Sequence, residues 1–171
     1  NRRISYLRIS VTDRCNLRCR YCMPEEGIKL VRHEDILTFD EITKFTAIAV
    51  DAGISKVRIT GGEPLARKGI VSLVCMLAGI EGISDLSMTT NGTMLKEFAE
   101  DLKKAGLDRV NISLDTIDRE KYAFVTRKGN LDDVFMGIEA AKMAGLDPVK
   151  INCVIKKSEL EKDAVEVGEF C

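Results

Sequence analysis

The sequence predicts an α/β fold in which five parallel strands form an incomplete (βα)6-type barrel. Two observations lead to this prediction. Short alternating runs rich in β-branched residues recur along the chain, and each continues into an amphipathic run closed by glycine. Strands that are separated by helices run parallel, so the repeated unit indicates one TIM-like sheet.

The predicted strands cover residues 5–12, 56–60, 85–90, 109–115 and 148–155. One face of these strands is apolar and should pack under the helices. The opposite face is polar and consists of Arg8, Ser10, Thr12, Arg58, Thr60, Ser87, Thr89, Asn111, Ser113, Asp115, Lys150 and Asn152. Parallel strands covered on both sides usually read as continuous apolar runs. We therefore interpret the polar face as the lining of a barrel lumen that receives a charged ligand, with a sheet solvated on one face as the alternative.

Helices are predicted between the strands. Thr38 and Glu41 form a capping box, and the helix that follows should bury Ile42, Phe45, Ala49 and Ala52 before it ends at Gly53. Two more helices are predicted over residues 95–106 and 130–145. A further helix, between the second and third strands, should carry Cys75 on its apolar face.

Composition restricts the class of protein. The 171 residues fit one domain, and 26 basic against 27 acidic residues give no field that would attract nucleic acid. No apolar run approaches the roughly 20 residues of a membrane span, so we expect a cytoplasmic or organelle-matrix protein. The chain starts without methionine and stops inside a helical pattern. We therefore expect residues 1–171 to be a truncated part of a longer protein.

Three cysteines crowd into one short segment after the first strand. Cys15, Cys19 and Cys22 follow the pattern C-x-x-x-C-x-x-C. Three thiolates at this spacing can bind three corners of a 4Fe-4S cluster and leave one iron open for a ligand. The alternative is a zinc-stabilised binding module, in which Asp13 or His33 completes the site.

The second predicted strand ends in the run T-G-G-E-P, residues 60–64. A double glycine at a strand end lets the backbone approach a ligand closely. The run follows the cysteine segment by one βα unit, and this position gives it weight as part of a site.

With these motifs the chain resembles the radical S-adenosylmethionine superfamily, in which an aromatic residue precedes the last cysteine, as Tyr21 precedes Cys22. More narrowly it resembles the GTP 3′,8-cyclase family of molybdenum-cofactor biosynthesis, through residues 6–10, 13–27, 56–65, 89–92, 110–115 and 149–152. The resemblance implies a lyase that cleaves S-adenosylmethionine reductively at a 4Fe-4S cluster. It would convert GTP to 3′,8-cyclo-7,8-dihydro-GTP. A radical enzyme acting on a peptide or another small molecule is the alternative within the superfamily.

The resemblance also implies roles for individual residues. The cluster would be held by Cys15, Cys19 and Cys22. S-adenosylmethionine would contact Tyr21, Gly62 and Ser113. GTP would contact Arg8, Arg58, Thr89 and Lys150. Three cations suit a triphosphate, although Arg8 or Arg58 could instead form an ion pair with Asp13 or Asp115.

Members of the cyclase family have further parts that the resemblance leads us to expect only in a longer chain. These are a sixth strand, a second 4Fe-4S cluster bound by three more cysteines, and a diglycine tail. Cys75, Cys153 and Cys171 have no such spacing, so we assign them to packing or leave them unexplained. As partners we expect GTP as substrate and an electron donor, with a homodimer as one option for assembly.

Overall fold

The computed structural model describes residues 4–155 and 161–171. The strands are β1 (Tyr6–Ser10), β2 (Lys56–Thr60), β3 (Asp85–Thr90), β4 (Arg109–Ser113) and β5 (Lys150–Asn152). The helices are α1 (Phe39–Asp51), α2 (Ile70–Ala78), α3 (Leu95–Lys104), α4 (Arg119–Thr126), α5 (Leu131–Ala144) and α6 (Glu161–Phe170). The strands pair in chain order and every pair is parallel. The predicted α/β fold with five βα units is confirmed.

The core lies between the apolar face of the sheet and the helices. The central strands bury Val57, Ile59, Leu86, Met88, Val110 and Ile112 against that layer. Alternate residues therefore point to the opposite face, which places the polar side chains of the strands together.

Three strands are shorter than predicted. β1 ends at Ser10, although the chain stays beside β2 through a hydrogen bond from Val11 N to Thr60 O of 2.9 Å. β4 ends at Ser113. β5 ends at Asn152, and the Val154 amide donates to the Asp115 carboxylate at 2.9 Å instead of to a strand. At β5 a side-chain acceptor thus replaces the next bond of the ladder, and a single sequence gives no direct sign of it.

Helix α1 begins as predicted but buries a different face. The Thr38 and Glu41 capping box is present. However, Phe45 is 57% exposed, and the buried positions are Ile42 and Thr46. The Thr46 hydroxyl donates to Ile42 O at 2.7 Å, so this polar residue can be buried without losing a hydrogen bond. The predictions that Phe45 and Ala52 face the core were wrong.

Helix α2 buries Ile70, Leu73, Val74 and Leu77, which share one face by helical spacing. Cys75 lies on the other side and is exposed, so its predicted place on the apolar face was wrong. Among the helices that the structure describes, none is long and apolar enough to cross a membrane.

Candidate functional site

The three clustered cysteines lie in an irregular segment directly after β1, at the carboxyl end of the sheet. We call residues 12–23 the cysteine loop. Cys15 and Cys19 are partly buried, whereas Cys22 is exposed. A turn brings the last two together, because Cys22 N and Met23 N both donate to Cys19 O, at 2.9 and 3.1 Å.

Helix α4 anchors the cysteine loop through its last carbonyl groups. The amides of Arg18 and Arg20 donate to Thr126 O and Val125 O at 3.1 and 2.9 Å. In the opposite direction, the Arg127 guanidinium donates to Arg18 O at 2.7 Å. The cysteine loop, which follows β1, is therefore held in place by the C-terminal end of α4, which follows β4.

The thiols of the loop share an environment that favours their neutral form. Burial is the main cause that raises the pKa of Cys15, Cys19 and Cys22. Burial raises the pKa of Cys19 to about 12, and the neighbouring thiols of Cys22 and Cys15 add to the effect. A bound cation would reverse this preference, because metals bind thiolates and release their protons.

This donor set fits an iron-sulfur cluster better than a single zinc ion. Among residues 4–155 and 161–171, no three His, Cys, Asp or Glu side chains are grouped to hold one metal ion. Of the proposed fourth zinc ligands, Asp13 lines a cavity with Cys15 and accepts from Val31 N through Oδ2 at 2.6 Å, whereas His33 lies in an exposed 3-10 turn. Three soft sulfur donors on one braced loop suit a cluster with one open corner.

The double glycine after β2 fits closely against the start of the cysteine loop. A Cβ on Gly61 would lie 2.6 Å from Thr12 O, and one on Gly62 would lie 2.6 Å from Arg14 C. Two hydrogen bonds join the segments, from Gly62 N to Thr12 O at 2.6 Å and from Glu63 N to Arg14 O at 2.7 Å. The sequence predicted that this backbone approaches a ligand closely; in the structure it approaches the backbone of the cysteine loop.

Glu63 is 1% exposed and connects this turn to the end of β3. Its carboxylate accepts from Leu65 N, Thr90 Oγ1 and Asn91 N, at 3.1, 2.8 and 2.8 Å. Burial raises the pKa of Glu63, and these hydrogen bonds oppose that rise. Glu63 therefore connects the T-G-G-E-P run, residues 60–64, to residues 89–92 at the end of β3.

Two of the cavities beside the cysteine loop are lined by its cysteines. The larger, of about 340 Å³, is enclosed by residues that include Cys15, Arg18, Met23 and Gly27. The smaller, of about 30 Å³, brings Cys19 and Tyr21 together with Ser113.

Tyr21 donates its hydroxyl to Asp115 at 2.6 Å. Burial and this hydrogen bond raise the pKa of Tyr21. Two of the three residues predicted to contact S-adenosylmethionine, Tyr21 and Ser113, thus line one cavity, while Gly62 lies outside it.

The predicted GTP residues lie on the polar face in two rows of the sheet. Arg8 stands directly opposite Arg58 in the register of β1 and β2. Thr89 stands opposite Asn111, which stands opposite Lys150. Within the described part of the chain, Arg8, Arg58 and Lys150 form no ion pair. The alternative, in which Arg8 or Arg58 pairs with Asp13 or Asp115, was therefore wrong within the described residues.

A third arginine continues the first row but is neutralised. Arg109 stands opposite Ser87, which stands opposite Arg58. Its guanidinium binds the Asp85 carboxylate through two hydrogen bonds of 3.0 and 2.7 Å. It also donates to Asn111 at 3.1 Å.

Sequence reasoning missed Arg109, Arg127 and the junction at Glu63. Arg109 and Asp85 continue the alternation by which the polar face was recognised, so that pattern could have found them. The bracing role of Arg127 leaves no comparable pattern.

Three comparisons relate this chain to known proteins. The sequence profile of the "Radical SAM superfamily" matches residues 9–171. The chain is 61% identical over 170 residues to the GTP 3′,8-cyclase of Thermodesulfovibrio yellowstonii, and the match covers 96% of this chain and 53% of that protein. It is 56% identical over 156 residues to the GTP 3′,8-cyclase of Moorella thermoacetica, covering 91% of this chain and 48% of that protein. The chain thus spans about half the length of these relatives.

Among solved structures, the chain is similar to Streptococcus suis SuiB bound to S-adenosylmethionine. The TM-score is 0.81 at 23% identity, over 98% of this chain and 37% of SuiB. This likeness is one of fold.

Proposed function

The chain belongs to the radical SAM superfamily, and on that premise we propose that it carries the core of a GTP 3′,8-cyclase of molybdenum-cofactor biosynthesis. The enzyme would use S-adenosylmethionine to convert GTP to 3′,8-cyclo-7,8-dihydro-GTP. The high identity to proteins of that name supports this proposal.

One observation carries the choice of substrate: Arg8 and Arg58 face each other across β1 and β2 without a carboxylate partner among the described residues. Like charges directly opposite in a sheet are destabilising. A polyanion between them would remove that cost, and guanidinium groups suit phosphate oxygens through paired hydrogen bonds. Lys150 and Thr89, in the adjacent row, would complete the contacts to GTP.

Cys15, Cys19 and Cys22 would hold the 4Fe-4S cluster. When bound, the cluster would supply the one electron that breaks a carbon–sulfur bond of S-adenosylmethionine, which releases methionine and the 5′-deoxyadenosyl radical. The chain's own part is to position the ligands: we assign Tyr21, Gly62 and Ser113 to S-adenosylmethionine. Binding both ligands at one end of the sheet would exclude water from the reacting atoms.

The proposal extends to the surroundings of the enzyme. We infer a reducing compartment, the cytoplasm or an organelle matrix, because all six cysteines are free. An external electron donor, a homodimer and a second 4Fe-4S cluster in the complete protein remain part of the proposal.

The test is GTP binding by the full-length protein and by its Arg58→Ala and Lys150→Ala variants. Each should weaken GTP binding by about 10- to 100-fold, from about 1.5–3 kcal/mol per charged hydrogen bond. S-adenosylmethionine binding should change far less. Lys104→Ala serves as the control, since this lysine is exposed and pairs with Glu100 on α3.

Turnover gives the second test of the same proposal. The reconstituted full-length protein, incubated anaerobically with dithionite, S-adenosylmethionine and GTP, should yield 5′-deoxyadenosine and the cyclised nucleotide. In the binding test above, an equal loss of affinity for GTP and for S-adenosylmethionine in the Arg58 and Lys150 variants would mean that these cations support the fold. Formation of 5′-deoxyadenosine without any cyclised product would favour a radical enzyme with another substrate.

A further inference from the structure

Three side chains close a ring of hydrogen bonds beside Cys15. The Asn91 amide nitrogen donates to Asn16 Oδ1 at 2.8 Å, and the Asn16 amide nitrogen donates to Thr93 Oγ1 at 2.9 Å. Thr93 Oγ1 then donates to Asn91 Oδ1 at 2.7 Å. Each group both gives and accepts, so the three bonds strengthen one another. We call this set the amide ring.

The amide ring joins the cysteine loop to the rest of the site. Asn16 belongs to the loop, whereas Asn91 and Thr93 follow β3. The Asn91 backbone amide is held by the buried carboxylate of Glu63 at 2.8 Å. Three motifs that are separate in the sequence are therefore connected through Asn91.

The orientation of the Asn91 side chain is fixed by its partners. Its Oδ1 accepts from both the amide and the hydroxyl of Thr93, at 3.0 and 2.7 Å. The amide nitrogen must therefore point the other way, where it lies 4.0 Å from Cys15 Sγ. That separation is within reach of a hydrogen bond to sulfur.

We propose that Asn91 is a positioning residue for the iron-sulfur cluster, which holds Cys15 in place through the amide ring and donates a hydrogen bond to its thiolate. This inference rests on the cluster assigned in the proposed function and not on GTP as substrate. Hydrogen bonds to the sulfur ligands stabilise the reduced, more negative cluster and so raise its reduction potential. A ring that fixes Cys15 before the cluster binds also slows loss of the cluster afterwards.

The test uses Asn91→Leu in the full-length, reconstituted protein, because leucine has a similar volume and no polar atom. Two quantities are measured: the midpoint potential of the cluster by spectroelectrochemical titration, and the rate at which a chelator removes its iron. We expect a more negative potential and iron loss that is several-fold faster. Asn130→Ala is the matched control. It removes the N-cap of α5, formed by a hydrogen bond from Asp132 N, and should leave both quantities unchanged.

A second variant separates the two parts of the proposal. Asn16→Ala breaks the amide ring but leaves the amide nitrogen of Asn91 beside Cys15, so it should speed iron loss with a smaller change in potential. If Asn91→Leu matches Asn130→Ala in both measurements, the proposal is overturned. If Asn91→Leu binds no cluster, unchanged iron loss in Asn16→Ala overturns it instead. Neither measurement contains GTP, so a different substrate would leave these results intact.

Discussion

Replacing Gly62 with alanine should disrupt the cysteine loop by a purely steric effect. The added Cβ would clash with Arg14 O, would lie 2.6 Å from Arg14 C, and would lie 2.9 Å from Asp13 O. All three are backbone atoms, so no flexible side chain can move aside. Gly62 is not among the residues with a positive φ, which means that the backbone conformation itself would accept alanine.

The size of the effect follows from the contacts that must break. Relief of the clash separates the two segments and removes the hydrogen bonds from Gly62 N to Thr12 O and from Glu63 N to Arg14 O. Overpacking costs about 1–3 kcal/mol, and each hydrogen bond contributes about 0.5–1.5 kcal/mol. The free energy of unfolding should therefore fall by about 2 to 6 kcal/mol.

The assay is urea denaturation of the variant, followed by its iron content after anaerobic reconstitution. Gly79→Ala is the matched control, because a Cβ there meets its nearest atoms at 3.5 and 3.6 Å, ordinary contact distances. The control should be unchanged or slightly more stable, by about 0.4–1 kcal/mol. A Gly62→Ala protein with wild-type stability and full iron content would refute the steric reasoning.

Three further predictions follow from the site. Cys19→Ala should abolish retention of iron and sulfide while exposed Cys75→Ala leaves it intact; undiminished iron in Cys19→Ala would contradict the cluster assignment. Burial raises the pKa of Cys19 from 9.0 to about 12, so the unfolded chain loses this proton first and the apoprotein should lose stability as pH rises from 9 towards 12. In the Cys19→Ala apoprotein, the free energy of unfolding should fall less steeply over this pH range, as measured by denaturation at a series of pH values. The same dependence on pH in both proteins would contradict this prediction. Arg109→Leu should weaken GTP binding less than Arg58→Ala, because Asp85 already neutralises Arg109. Titration calorimetry on both variants measures this, and an equal loss of GTP affinity would contradict it.

The alternation of the strands was enough to predict which side chains share the polar face. Arg8, Arg58 and Lys150 were assigned to it from period-two spacing, and the sheet places them there. What the spacing could not supply was register. Arg8 stands opposite Arg58 because β1 and β2 begin their pairing at Tyr6 and Lys56. That alignment depends on contacts between distant segments.

The bracing of the cysteine loop was beyond prediction for a different reason. The carbonyl groups of α4 hold the amides of Arg18 and Arg20, and backbone groups are the same at every position of a sequence. Arg127 contributes a side chain, but it does so from a positive φ of 62° that follows the last turn of α4. Few non-glycine residues adopt such a conformation, so no propensity would have indicated it.

Arg8, Arg58 and Arg109 share one row of the sheet, but Arg58 and Arg109 have different partners. At Arg109 the sheet supplies Asp85, and the two side chains are only 14% and 19% exposed. At Arg58 the partners within the described part of the chain are the Tyr6 ring, 5.3 Å from the guanidinium, and the Ser87 hydroxyl at 3.4 Å. Neither partner cancels a charge. Arg58 therefore keeps an uncompensated charge among the described residues, and under the proposed function the triphosphate of GTP would supply the negative charge that Asp85 supplies to Arg109.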